Sequence, residues 1–298
     1  MDTRQDIINS LKSGDTRSLA RCISIVENEV EGYRQVMESL PSAHSVIIGI
    51  TGPPGAGKST ITDGLIGELL ADDKKVCVLC VDPSSPFNFG ALLGDRIRMS
   101  EWYNHPNVFI RSLATRGSLG GLNPKIIEIT EIMKAAGFDY IIIETVGVGQ
   151  SEIEIAGLAD VTIVVLVPEA GDEVQVMKAG IMEIADIFVV NKSDRPEAHT
   201  FIKNLNSLLA PSQKKEERHV IKTIATQKEG IKELKDQVLR LSSSQNSERK
   251  TALLAEKAWH LIQNKKMESI SKADLLQKIK EQKPGFNLYS FVNQYYGN

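Results

Sequence analysis

Short apolar runs rich in Val and Ile alternate with amphipathic segments through the middle of the chain. The runs Ser45–Thr51, Lys75–Val81, Val108–Leu113, Tyr140–Thr145, Val161–Val167, Ile187–Asn191 and His219–Thr223 read as strands. Between them, Lys58–Leu70, Pro124–Ala136, Val174–Glu183, Pro196–Leu209 and Gly230–Leu241 carry apolar residues at helical spacing. Near-continuous β-branched strands separated by helices are the mark of a parallel sheet buried on both faces. Right-handed crossovers follow from chain chirality. The pattern predicts a doubly wound, mainly parallel α/β domain over residues 44–242.

The ends differ. Residues 1–43 read as a helical extension with one helix over Thr3–Lys12 and a second over Arg17–Glu38, where Leu19, Ile23, Val26 and Val30 share a face. The polar run S-S-S-Q-N-S-E after Leu241 breaks the pattern, and residues 243–298 form a second extension. It holds helical patterns over Glu248–Lys265 and Lys272–Glu281, then an aromatic tail. Five aromatic residues within the last thirteen demand cover, from the domain or from another subunit.

Composition narrows the class. With 42% hydrophobic and 24% charged residues, the 298-residue chain can bury an ordinary core. A net charge of −3 gives no reason to expect a nucleic-acid or anionic-membrane partner. No apolar run approaches the roughly 18 residues that cross a bilayer, and the acidic N-terminus resembles neither a signal nor a transit peptide. A cytoplasmic protein is the expectation. Cys77 and Cys80 form a C-x-x-C inside a strand, where positions i and i+3 face opposite ways. They cannot share a metal. The five histidines show no ligand spacing.

The specific chemistry begins at S-V-I-I-G-I-T-G-P-P-G-A-G-K-S-T, a strand leading into G-x-x-x-x-G-K-S at Gly52–Ser59. Gly52, Pro53, Pro54, Gly55, Ala56 and Gly57 would wrap backbone N–H groups around phosphate oxygens. The helix that follows presents its positive end through Lys58, Ser59 and Thr60. Lys58 would reach the β- and γ-phosphates, and the Ser59 hydroxyl would bind Mg2+. The base is indicated by Asn191, Lys192 and Asp194, an N-K-x-D tetrad at a strand end. The Asp194 carboxylate can accept both guanine N1–H and the exocyclic amine, a pair that adenine lacks. Ala225, Thr226 and Gln227 fit the loop whose N–H meets the guanine oxygen. GTP is the nucleotide these residues predict.

V-D-P-S-S-P (81–86), L-G-D-R-I-R-M (93–99), E-T-V-G-V-G-Q-S-E (144–152) and E-A-G-D-E-V-Q-V-M-K (169–178) together resemble the MeaB/ArgK family of P-loop GTPases. That family is related to metallochaperone GTPases and includes the human methylmalonic aciduria type A protein. The resemblance covers nearly the whole chain, and the tail is similar to the family's C-terminal dimerisation arm. It implies a homodimeric, Mg2+-dependent enzyme turning GTP into GDP. It also implies a chaperone that gates cofactor loading and protects an adenosylcobalamin-dependent acyl-CoA mutase, foremost methylmalonyl-CoA mutase. A nickel-type metallochaperone GTPase or a small-molecule kinase are the alternatives. The first should carry a His-rich tract or surface Cys pair, and the second needs no guanine tetrad.

Asp82, at a strand end, can hold Mg2+ directly or through water. Asp95 is implied by the resemblance to be the switch I acid. Glu144 ends its strand where most such enzymes place an aspartate, and Gly147 supplies an N–H that can sense the γ-phosphate. Lys58, Asp82, Asp95 and Glu144 are the expected catalytic residues, with Ser59, Asp82, Asp95 and Glu144 as candidate metal ligands. Which carboxylate orients water stays open. The resemblance assigns Asp172, Glu173, Gln175 and Lys178 to a switch III that signals to the mutase. There Glu169 stands where the family's pattern has glycine. Val148 occupies the position where small GTPases carry a water-orienting glutamine, which predicts slow hydrolysis accelerated by the partner.

Overall fold

The computed structural model describes Leu11 and residues 15–82, 99–115, 122–147, 151–168, 181–209, 219–244, 247–281 and 286–295. The elements in order are α1 (Thr16–Glu27), α2 (Tyr33–Glu38), β1 (Val46–Thr51), α3 (Lys58–Leu70), β2 (Val76–Asp82) and β3 (Val108–Ala114). They continue with α4 (Ile126–Ala135), β4 (Tyr140–Glu144), α5 (Ser151–Ala156), β5 (Val161–Leu166), α6 (Ile181–Ile184) and β6 (Ile187–Val190). Last come α7 (Ala198–Leu209), β7 (His219–Lys222), α8 (Ile231–Ser244), α9 (Ser247–Met267), α10 (Lys272–Lys280) and α11 (Leu288–Asn293). Contacts divide the chain into one unit ending at Leu253 and a second from Leu254 onward.

The seven strands of the first unit form one sheet in the order β3-β2-β4-β1-β5-β6-β7, and every pairing is parallel. Alternation sorts its side chains. Ile48, Ile50, Val78, Cys80 and Ile142 face a core shared with α3 and α8, while Ile47, Cys77, Leu79, Ile141 and Ile143 face one shared with α1 and α4. Cys77 and Cys80 therefore lie on opposite faces, as the strand period requires. A third cluster, around Phe188, Phe201 and Leu205, seats α7 over β5 and β6. The central β1 lies between β4 and β5, so the loop leaving it opens at the carboxyl edge, where doubly wound sheets bind ligands.

The sequence pattern erred where one helix was expected over Arg17–Glu38. The chain turns out of the helix after Glu27: Asn28 caps α1, Glu29 takes φ 50° and Gly32 φ 88°. Leu19, Cys22, Ile23 and Val26 are buried, but Val30 sits in the turn and is exposed. The turn chemistry of Asn28 and Gly32 outweighs the apolar period that Val30 extends. The α8 helix also runs past Leu241, and Ser242, Ser243 and Ser244 each donate a side-chain hydrogen bond to the carbonyl three residues back. The expected helix Thr3–Lys12, apart from Leu11, lies outside the described residues, as does most of Val174–Glu183.

In the second unit, Ser271 and Asn287 cap α10 and α11 through their side chains. Phe291 is buried there between Phe286 and Tyr295, with ring centroids 5.6 Å from each. Among the described residues, no helix is long and apolar enough to cross a membrane.

Candidate active site

The loop from β1 to α3 turns on three glycines with positive φ: Gly52 at 136°, Gly55 at 80° and Gly57 at 95°. At Gly52 the reason is also steric, since a Cβ would stand 2.1 Å from the Val165 carbonyl. Gly57 is the N-cap of α3 and makes no side-chain cap bond. A helix start of that kind takes phosphate oxygens as partners. Lys58 is buried, and its Nζ donates to the Gly52 and Pro53 carbonyls at 2.9 and 3.1 Å. The ammonium thus lies inside the loop's own curve.

Glu144 sits between two neighbours. Its residue is in register with Ile50 of β1 on one side and Cys80 of β2 on the other. Ser59 Oγ donates to Glu144 Oε1 at 2.6 Å, and Thr62 Oγ1 donates to Oε2 at 3.0 Å. All three side chains are buried. One residue further, Thr145 Oγ1 donates to Thr51 Oγ1 at 2.8 Å, tying the end of β4 to the end of β1. Gly147 then passes so close to the loop that a Cβ would be 2.0 Å from the Gly52 oxygen and 2.7 Å from Lys58 Nζ. Sequence reasoning marked Gly52, Lys58, Ser59, Glu144 and Gly147 separately; the structure brings them together.

The tetrad is joined to the same loop. Asn191 Nδ2 donates to the Ala56 carbonyl at 2.8 Å, so close that a Cβ on Gly57 would meet it at 2.2 Å. Asn191 Oδ1 accepts from Thr223 Oγ1 and from the Ala225 N–H, both at 3.1 Å. One side chain therefore braces the phosphate loop and the turn Ala225–Gln227. Lys192 takes φ 55°, and Asp194, Thr226 and Gln227 are exposed at the rim, where a base would be read.

Asp82 ends β2, one strand out from β1, and is buried. Asp95, Asp172, Glu173, Gln175 and Lys178 lie outside the described residues, as do Val148 and Glu169. Two contributors escaped sequence reasoning: Thr62, which holds Glu144, and Thr223, whose hydroxyl holds Asn191. The first lies one helical turn beyond Ser59 on the same face, a spacing that the motif alone does not flag.

The donor set suits Mg2+, which favours hard oxygen ligands and keeps several positions for water and phosphate. Ser59 and Glu144 supply a hydroxyl and a carboxylate at one point. Among the described residues no group of three or more His, Cys, Asp or Glu side chains could hold an ion alone, so phosphate would complete the shell.

A glycine-lined phosphate loop at the centre of a parallel sheet, braced by the asparagine of a guanine tetrad, defines a P-loop GTPase. The chain belongs to the MeaB family: the family model described as "Methylmalonyl Co-A mutase-associated GTPase MeaB" matches residues 19–283. A Pyrococcus abyssi protein named as a GTPase is 48% identical over 240 residues, 78% of this chain and 74% of that protein. The GTPase ArgK of Escherichia coli is 38% identical over 198 residues, 64% of this chain and 60% of that one. A fused isobutyryl-CoA mutase of Geobacillus kaustophilus is 41% identical over 204 residues, 64% of this chain but 18% of the mutase. Among solved structures, the LAO/AO transport system kinase superposes with a TM-score of 0.72 at 24% identity, covering 99% of this chain and 96% of that one. This last likeness speaks to the fold.

Proposed function

We propose that this MeaB-family GTPase hydrolyses GTP with Mg2+ to time its action as a chaperone of an adenosylcobalamin-dependent acyl-CoA mutase. The observation that carries the partner class is the Geobacillus fusion, a protein named for its mutase that holds a stretch 41% identical to this chain. The family description, which names methylmalonyl-CoA mutase, supports that enzyme as the first partner to test.

In this reading Lys58 and the N-terminus of α3 hold the β- and γ-phosphates, and Asp194 reads the guanine edge. Ser59, Glu144 and Asp82, with Asp95, would hold Mg2+, which neutralises charge on the phosphates when bound. Phosphoryl transfer to water asks chiefly for positioning and charge stabilisation. Glu144 orients the attacking water or anchors the metal shell, and Gly147 brings a backbone N–H to the γ-phosphate. Asp172, Glu173, Gln175 and Lys178 carry the nucleotide's state to the partner.

A homodimer fits the second unit. Ten of the thirteen exposed large hydrophobic side chains among the described residues lie between Leu254 and Tyr289. A full-length Trp259→Glu variant should run as a monomer in light scattering where the parent runs as a dimer.

The test of function is pull-down of the purified mutase with a non-hydrolysable GTP analogue, GDP or no nucleotide, alongside single-turnover GTP hydrolysis. Nucleotide-dependent association and faster hydrolysis in the complex are expected. Equal rates with and without mutase, and no association in any nucleotide state, would sink the chaperone reading.

A further inference from the structure

We infer that Thr62 is a positioning residue for GTP hydrolysis, acting by fixing the carboxylate of Glu144. The inference rests on the reading of Glu144 as the carboxylate that serves the metal and the attacking water.

Glutamate reaches further than aspartate but turns about one more side-chain bond, so a glutamate at a strand end needs a second hold to present one oxygen reproducibly. The structure supplies it from one helix. Ser59 and Thr62, three residues apart on α3, face the end of β4 together. Ser59 takes Oε1 at 2.6 Å and Thr62 takes Oε2 at 3.0 Å. A serine hydroxyl has one proton and two lone pairs, so Ser59 can donate to Glu144 and still offer oxygen to a cation. Thr62 has no second task at the phosphates; its hydroxyl is fully buried, one turn deeper in the helix. It leaves Oε1, the oxygen beside Ser59, as the working atom.

The hydroxyl of Thr62 has a choice. Its Oγ1 also stands 3.0 Å from the Lys58 carbonyl, its own partner one helical turn back. One proton serves one acceptor well or both weakly in a three-centre bond. A buried carboxylate is the stronger, so the bond to Glu144 prevails while the glutamate faces the helix. If Glu144 swings away, Thr62 returns its proton to Lys58 O and no buried donor is stranded. Release of Glu144 therefore costs the difference between the two bonds, not the whole of one.

The experiment compares wild type, Thr62→Val, Thr62→Ser, Glu144→Gln and the double variant Thr62→Val/Glu144→Gln. Single-turnover GTP hydrolysis is followed across a Mg2+ titration, with affinity for fluorescent GDP in EDTA and a thermal melt as controls. Valine keeps the volume of threonine and removes the hydrogen bond. Thr62→Val should bind GDP in EDTA as wild type does, need more Mg2+ for half-maximal rate, and hydrolyse about 10–100-fold more slowly, the loss expected for a hydrogen bond to a charged group. Thr62→Ser should restore the rate, and the double variant should be no slower than Glu144→Gln alone. Wild-type hydrolysis by Thr62→Val beside an impaired Glu144→Gln overturns the assignment of Thr62 and leaves Glu144 standing. Parallel loss of GDP affinity and rate, or failure of serine to rescue, overturns it in favour of a packing role. Wild-type hydrolysis by Glu144→Gln overturns the reading of Glu144 itself.

Discussion

At the scale of single residues, Asn191 carries more than its motif states. Its amide donates to the Ala56 carbonyl and accepts from Thr223 Oγ1 and the Ala225 N–H. Asn191→Ala strands these buried groups, which should cost about 1–3 kcal/mol of stability. It should also weaken GTP and GDP together, by at least about tenfold, because the phosphate loop and the base loop lose one common brace. Fluorescent-GDP titration and thermal melts check both; unchanged affinity would refute the strut. Gly147→Ala tests the close approach of β4's exit to the loop. A Cβ 2.0 Å from the Gly52 oxygen, at φ 81°, cannot be housed without moving the backbone. Nucleotide affinity should fall while the melting point moves less. The glycines and the tetrad were legible because backbone geometry and guanine chemistry demand those residue types at those spacings. Thr62 and Thr223 were not, since a threonine hydroxyl has no spacing signature and its partner is chosen by the fold.

At the scale of elements, strands were read from sequence almost to the residue, and α3 came out with the expected bounds. The strand bounds follow the apolar runs, and the helix start follows the glycine before it. The break between α1 and α2 was missed because Val30 continues the apolar period through a turn that Asn28 and Gly32 impose. How firmly α1 is held is testable. Ile23 is fully buried in the core between α1 and the sheet, so Ile23→Ala should cost about 2–5 kcal/mol. An ion pair joins α8 to the turn after α3, where Lys235 Nζ contacts Asp72 Oδ2 at 2.9 Å. The hydrogen bond to Asp72 outweighs desolvation and raises the lysine's pKa above its usual 10.5. A raised folded pKa means the ion pair is complete below the unfolded value and fades as pH rises beyond it. The stability difference between wild type and Asp72→Asn, about 1 kcal/mol or less for a pair whose aspartate is open to solvent, should be constant from pH 7 to about 10 and shrink above that.

At the scale of the whole molecule, the three cysteines report how the first unit comes apart. Cys22 lies on α1, and Cys77 and Cys80 lie on opposite faces of β2; all three are buried and none is in a disulfide. Burial pushes Cys22 up to about 11 and Cys77 well above its usual value. The reactive thiolate is therefore scarce near neutrality even before access is considered. A thiol-exchange reagent at pH 8 should label none of them in the native protein over minutes and all three after denaturation. Under mildly destabilising conditions the order of labelling divides two architectures. If α1 opens on its own, Cys22 reacts first, and Cys77, which faces the same core, follows before Cys80 on the far side of the sheet. If α1 and the sheet form one cooperative unit, all three react at a single rate. Because α1 buries only the face that carries Leu19, Cys22, Ile23 and Val26, separate opening is expected, and Ile23→Ala should accelerate Cys22 more than Cys80. Equal acceleration at both would assign α1 to the cooperative core of the sheet.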